Sequence, residues 1–221
     1  MMLIVRVFPG DDLADTWNSV MLNLKAISNE YCTPLYISQQ EEKDFMSIIY
    51  DVQDIDSFAD LIVKAIPSAA KSSKTRTITL LKPVFFPAPK DRPAQLERYQ
   101  IAIRATSEEV HNVFNHTIHL DYPLDVFPTY AAYSFGEDDI LMSMLSVNRD
   151  KIRRFLRENV ESQKGVLGVE AARINLSKRV APTEMWKKYR ENKYLFKPFD
   201  GFEEYDYTDV AAMEGAFVRD I

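Results

Sequence analysis

The stretch Ile78-Thr79-Leu80 returns 96 residues later as Ile174-Asn175-Leu176, with apolar residues in step and a polar residue between them both times. Strict apolar-polar alternation marks a β-strand with one buried face. Recurrence at so long a spacing marks a duplicated supersecondary unit. Upstream of each closing strand the same order of elements repeats. Leu3 to Val7 reads as an opening strand, and its counterpart Tyr99-Gln100-Ile101-Ala102-Ile103-Arg104-Ala105 alternates cleanly, with Arg6 and Arg104 at matching places.

A helical stripe follows each opening strand. Leu13, Trp17, Val20, Met21, Leu24 and Ile27 recur at spacings of three and four behind Asp11 and Asp12, which are candidate N-caps. Val110, Val113, Phe114 and Ile118 do the same in the second copy, where Thr106 and Glu109 have the spacing of a capping box. Two hairpins come next. Pro34-Leu35-Tyr36-Ile37 leads into Asp44 to Tyr50, and Thr129 to Phe135 leads through Gly136-Glu137-Asp138 into Asp139 to Leu145. A second stripe (Ile55, Phe58, Ala59, Ile62, Ala65, Ile66; then Ile152, Phe155, Leu156, Val160) precedes each closing strand.

The fold class expected is therefore α+β: two tandem ferredoxin-like β-α-β-β-α-β units. Such a sheet carries both helices on one face and leaves the other to be covered. The simplest cover is the other repeat, giving a pseudo-dimer packed like a dimeric α/β barrel. The first repeat spans 1–81 and the second 97–181. The segment 82–96 between them contains Pro83, Pro87, Pro89 and Pro93, which favour extended linker geometry. Residues 182–221 hold an expected helix at about 184–192 and an aromatic tail with Tyr194, Phe196, Phe199, Phe202, Tyr205 and Tyr207. This tail packs on its own chain, reaches a neighbouring subunit or lids a pocket.

The apolar share of 46% and the charged share of 27% are those of an ordinary globular chain. A net charge of −6 and a pI near 5.2 give no long-range attraction to phosphate backbones or anionic membranes, so direct nucleic-acid binding and membrane association are not expected. The basic group Lys151, Arg153, Arg154 and Arg157 reads as the solvated face of a helix. No apolar run approaches the roughly 20 residues of a spanning helix, and the single cysteine, Cys32, suits a reducing compartment, so a cytoplasmic protein is expected. Cys32 reads as buried filler.

The second copy carries motifs specific enough to compare. Tyr133-Ser134-Phe135-Gly136-Glu137-Asp138-Asp139-Ile140-Leu141-Met142, then Arg153-Arg154-Phe155-Leu156, then Gly165-Val166-Leu167-Gly168-Val169, resembles the effector-binding (RAM) domain of the Lrp/AsnC transcription regulators, members of the dimeric α/β barrel superfamily. Gly136 and Asp139 match that family's Gly-x-x-Asp turn. The first copy resembles it more weakly, since Glu41-Glu42-Lys43-Asp44 keeps only the aspartate. The resemblance implies small-ligand sensing, often of amino acids, and oligomerisation with itself or with a related regulator. It departs from the family in starting at the first strand, without the usual helix-turn-helix, and in holding two such domains.

Candidate ligand-binding residues are Gly136, Glu137, Asp138, Asp139 and Arg104. Glycine allows close backbone approach, and the adjacent carboxylates suit an ammonium group, although Gly-Glu-Asp-Asp is also a plain turn sequence. The repeated arginines Arg6 and Arg104 suit a bound anion, a salt bridge to a neighbouring strand, or an outer face. His111, His116 and His119 share one helix, but His111 and His116 lie about 140° apart at 3.6 residues per turn, so a metal site is not expected. No motif for a nucleophile, a phosphate loop or a zinc helix is present, and neither a catalytic residue nor a cofactor is assigned. The chain reads as a ligand-sensing or oligomerisation protein more than an enzyme. The alternative is a haem-dependent or cofactor-free oxidase or monooxygenase on the same architecture.

Overall fold

The structure, a computed structural model, describes residues 1–181; the helix and aromatic tail expected beyond them lie outside the described residues. It divides into two compact units. Of the described residues, the first comprises 1–80 together with 175–181, and the second comprises Leu81–Ile174.

In the first unit the order is β1 (Met2–Pro9), α1 (Leu13–Leu22), β2 (Cys32–Gln40), β3 (Met46–Val52), α2 (Ile55–Asp60), a wide π-turn (Leu61–Ala65), α3 (Ile66–Ala70) and β4 (Ser72–Phe85). β1 pairs antiparallel with both β3 and β4, and β3 with β2, so the sheet runs β4-β1-β3-β2. That is the ferredoxin-like order. Leu3, Val5 and Val7 meet Ile48, Tyr50, Phe58 and Ile66 in a core between sheet and helices. The continuous stripe expected from Ile55 to Ile66 is interrupted by the π-turn. Pro67, the second residue of α3, has no N–H for the preceding turn, and the helix accommodates it by widening there.

The second unit repeats the plan with β5 (Glu97–Ala105), α4 (Val110–Ile118), β6 (Val126–Phe135), β7 (Ile140–Ser146), α5 (Arg149–Asn159) and β8 (Val166–Arg179). Its sheet runs β8-β5-β7-β6. Tyr99, Ile101 and Ile103 of β5 pack with Met142, Met144, Phe114, Ile152 and Leu156 on the helix side. The fold class is α+β, and each unit is ferredoxin-like.

Both units share a feature the sequence did not announce. β2 and β6 each carry a one-residue bulge just after a proline, between Pro34 and Tyr36 and between Pro128 and Tyr130. Proline cannot donate to the ladder, so a bulge is the place a strand tolerates it. The skipped residues, Leu35 and Thr129, turn their carbonyls outward. In the first unit Leu35 O accepts the Val180 N–H at 3.0 Å, and in the second Thr129 O accepts the Phe86 N–H at 3.0 Å. Each bulge carbonyl thus bonds a residue of its own unit, Val180 in the first and Phe86 in the second. Extended pairing in β4 runs through Phe85, four residues into the proline-rich segment.

The helix starts differ from expectation in one place. α2 and α5 are capped by Asp54, which accepts the Ser57 N–H at 2.8 Å, and by Asn148, which accepts the Lys151 N–H at 2.9 Å. No capping box forms at Thr106 and Glu109. α4 begins only at Val110, the Thr106 N–H donates to Gly165 O at 2.8 Å, and the Glu109 carboxylate is taken by Asn112 and Lys164, which hold it below the usual carboxylate range. Asp12 caps α1 by position, without a side-chain hydrogen bond.

Candidate functional site

Strand alternation sorts the side chains of the second unit. With Tyr99, Ile101 and Ile103 directed to the helices, Gln100, Ala102 and Arg104 of β5 occupy the opposite face. The register extends this face into rows. Gln100 is opposite Ser143, which is opposite Tyr130; Ala102 is opposite Leu141, which is opposite Ala132; and Arg104 is opposite Gly168.

The first row is polar and tightly held. Gln100 Nε2 donates to Met142 O at 2.9 Å and lies 3.4 Å from the Tyr130 hydroxyl, while Thr129 Oγ1 donates to Ser143 O at 3.2 Å. The Tyr130 ring lies 6.4 Å from that of Phe85, centroid to centroid. Ser143 is 2% exposed and Ser134, one row beyond Ala132, is 4% exposed. Neither hydroxyl has a hydrogen-bond partner among the described residues. A buried hydroxyl left unpaired costs about 1–3 kcal/mol, so two on one sheet face call for a partner beyond the described residues. Between them lie the small side chains of Ala102 and Ala132, the latter fully buried.

Arg104 stands at the end of this face. It is exposed, and its guanidinium lies over Gly168, where a Cβ would come within 3.0 Å of Nη2. The glycine of the Gly165–Val169 motif therefore has a specific role: it makes room for Arg104. Gly165, at φ +84, is the other half of that motif, and a Cβ there would sit 2.3 Å from Glu109 Cβ.

The turn from Gly136 to Asp139 joins β6 to β7 beside Arg104. Gly136 and Glu137 are exposed, and Glu137 and Asp138 take part in further interactions. Asp139 is committed to backbone: its Oδ2 accepts the Ala105 N–H at 2.8 Å, its N–H donates to Ile103 O at 3.1 Å, and its carbonyl accepts the Ser134 N–H at 2.8 Å. The structure thus brings Arg104 and Asp139 together at the ends of neighbouring strands, and gives the Asp139 carboxylate a structural bond. Gln100, Tyr130, Ser134 and Ser143 were not singled out from the sequence. The available signal was polar residues at alternate positions of otherwise apolar strands.

The histidines lie on the other side of the sheet. His111 Nδ1 is 2.8 Å from the Tyr133 hydroxyl and its Nε2 is 2.9 Å from Asn115 Nδ2; His119 Nδ1 is 2.6 Å from Asn115 O; His116 is exposed. Among the described residues no three His, Cys, Asp or Glu side chains are placed to hold a metal ion, and no helix is long and apolar enough to cross a membrane.

No protein-family model matches the chain, and no curated protein matches it. Solved structures do. The siroheme decarboxylase NirDL superposes with a TM-score of 0.58 at 6% identity, and its complex with an iron-uroporphyrin III analogue with 0.56 at 8% identity. Each covers 86% of this chain and 78% of that one. The likeness is one of fold. An anthrone oxidase-like protein, at a TM-score of 0.47 and 6% identity over 82% of this chain and 94% of its own, is more distant. The resemblance to the Lrp/AsnC effector domain rests on the Gly136 and Gly165 motifs themselves.

Proposed function

We propose that this chain is a small-ligand-sensing protein, similar in role to the effector domain of Lrp/AsnC regulators, and that the second unit takes the ligand on the sheet face away from its helices. The observation that carries this reading is the pair of buried hydroxyls, Ser134 and Ser143, which flank Ala132 on this face and have no hydrogen-bond partner among the described residues. Arg104 suits a ligand carboxylate at the open end of the face. Ser134, Ser143 and the Tyr130–Gln100 pair suit its polar groups, and the carboxylates of the Gly136 turn suit an ammonium. An amino acid combines these features.

Thermal-shift and calorimetric titration of the full chain against the amino acids tests the reading. One or a few should bind, and both Arg104→Gln and Ser143→Ala should weaken them about tenfold or more, which is about 1.4 kcal/mol each. A wild-type protein that binds none of them, or variants that bind as well as wild type, would refute it. Self-association or pairing with a regulator belongs to the same proposal, and light scattering with and without the ligand reads it.

An iron-tetrapyrrole reading would borrow the ligand of NirDL. The residues of this face do not fit a histidine-held iron, because His111 and His116 lie on α4 and His119 at its C-cap, on the opposite side of the sheet. Titration with haem should produce no Soret shift characteristic of histidine ligation.

A further inference from the structure

The solvent side of α5 concentrates positive charge. Ile152, Leu156 and Val160 are buried at four-residue spacing, while Arg153, Arg154 and Arg157 are exposed within about 100° of arc at 3.6 residues per turn. Arg153 and Arg157 are four residues apart, a spacing at which like charges repel. Lys151 beside them is taken by Asp125 at 2.8 Å. Asp150 and Glu158 stand four residues either side of Arg154, and Glu161 four beyond Arg157, yet among the described residues none of these three arginine side chains is held in an ion pair or hydrogen bond. The opposite charge is concentrated elsewhere in the chain. Segment 200–221 holds seven carboxylates against one cation, Arg219, which is the whole of the net charge of −6; residues 1–199 are neutral in sum. Its run Phe202-Glu203-Glu204-Tyr205-Asp206-Tyr207 interleaves acidic with aromatic side chains.

We propose that segment 200–221 of the same chain docks on the arginine face of α5. A guanidinium pairs a carboxylate through two parallel N–H donors and stacks its plane on an aromatic ring, so three arginines suit a strip that offers both. The connecting residues 182–199 reach about 60 Å when extended, and about 40 Å if the expected helix at about 184–192 forms, which exceeds the roughly 30 Å diameter of a small domain. Tethering of this kind raises the local concentration of the segment to the millimolar range, enough to populate pairs that are each weak at a surface. α5 packs on the side of the sheet away from Gln100, Arg104 and Ser143, so the contact leaves the amino-acid face open.

Chymotrypsin, which cuts after Phe202, Tyr205 and Tyr207, reads the contact in the full chain, with the fragments assigned by mass. At low salt, combining Arg153→Glu with Arg157→Glu should speed these cuts about fivefold or more, and about 0.5 M salt should erase the difference from wild type by screening. Lys25→Glu, which reverses an exposed cation of the first unit, should cut as wild type. In a chain that already carries Glu203→Arg and Asp206→Arg, reversing the two α5 arginines should slow the cuts instead; each comparison keeps one tail sequence, so the preference of the protease cancels. Equal rates in wild type and the α5 double variant at low salt would overturn the proposal. So would protection that grows with protein concentration, which assigns the segment to a second copy, or protection lost in Lys187→Glu with Lys188→Glu and kept in the α5 variant, which assigns it to the basic stretch beside it. No residue is shared with the amino-acid titration, so either test can fail alone.

Discussion

The carboxylate of Asp139 holds the backbone N–H of Ala105 at 2.8 Å, tying the start of β7 to the end of β5 next to Arg104. A carboxylate beside a glycine turn invites a ligand role, but its first partner is the chain itself. Any loss of binding in an Asp139 variant therefore mixes two effects.

Asp139→Ala should lower stability by about 1–3 kcal/mol, because a part-buried N–H loses a charged acceptor. Asp139→Asn keeps an acceptor oxygen and should cost less. Urea unfolding of both variants checks the order. Equal stability of wild type and Asp139→Ala would mean that the bond contributes nothing.

Gly165→Ala should be among the most damaging single changes in the second unit. The residue adopts φ +84, where an added Cβ costs about 1–2 kcal/mol, and that Cβ would meet Glu109 Cβ at 2.3 Å, backbone-proximal and unable to swing away. Gly168→Ala meets only the flexible end of Arg104, at 3.0 Å from Nη2. It should leave thermal stability nearly unchanged while displacing the guanidinium and weakening ligand binding. A melting point for Gly168→Ala as low as that for Gly165→Ala would contradict this division.

Cys32 should react slowly with a thiol reagent until the chain unfolds. It is fully buried, and burial, reinforced by Asp54, pushes its thiol up from the ordinary range. Since the thiolate is the reactive form, the rate should rise steeply on adding denaturant. A fast native reaction at neutral pH would show that the β2 entry opens readily.

Much of this architecture is legible in the sequence because duplication doubles the signal of the stripes and hairpins, although the Ile78/Leu80 and Ile174/Leu176 match is not one of position: Ile78 and Leu80 pair with β1, while Ile174 and Leu176 lie past the stretch of β8 that pairs with β5. What escaped depends on contacts that spacing does not encode. Thr106 and Glu109 have the separation of a capping box, yet Gly165, some 60 residues away, accepts the Thr106 N–H. Pro34 reads as a strand start, and only the ladder shows that it sits beside a bulge whose carbonyl bonds Val180. Likewise, alternation puts Ser134 and Ser143 away from the helices, while their burial without a partner among the described residues is a property of the folded face alone.

The buried tyrosines give the chain an alkaline limit. Tyr50 donates to Ile27 O at 3.0 Å in the first unit, and Tyr122 donates to Thr117 O at 2.7 Å in the second. Burial pushes both phenols far above their ordinary range. An unfolded tyrosine ionises near pH 10, so above about that pH the unfolded state releases protons that the native state retains. The stability these groups contribute is whole below about pH 10 and is lost as pH climbs toward their folded values, at about 1.4 kcal/mol per group for each pH unit. Ultraviolet titration at 295 nm (~ the phenolate band) should show these two tyrosines silent until a cooperative alkaline unfolding step, with Tyr50→Phe and Tyr122→Phe each making that step shallower. Smooth ionisation of every tyrosine near its ordinary value, with the fold intact by circular dichroism, would show that these phenols are reached by water in the native state.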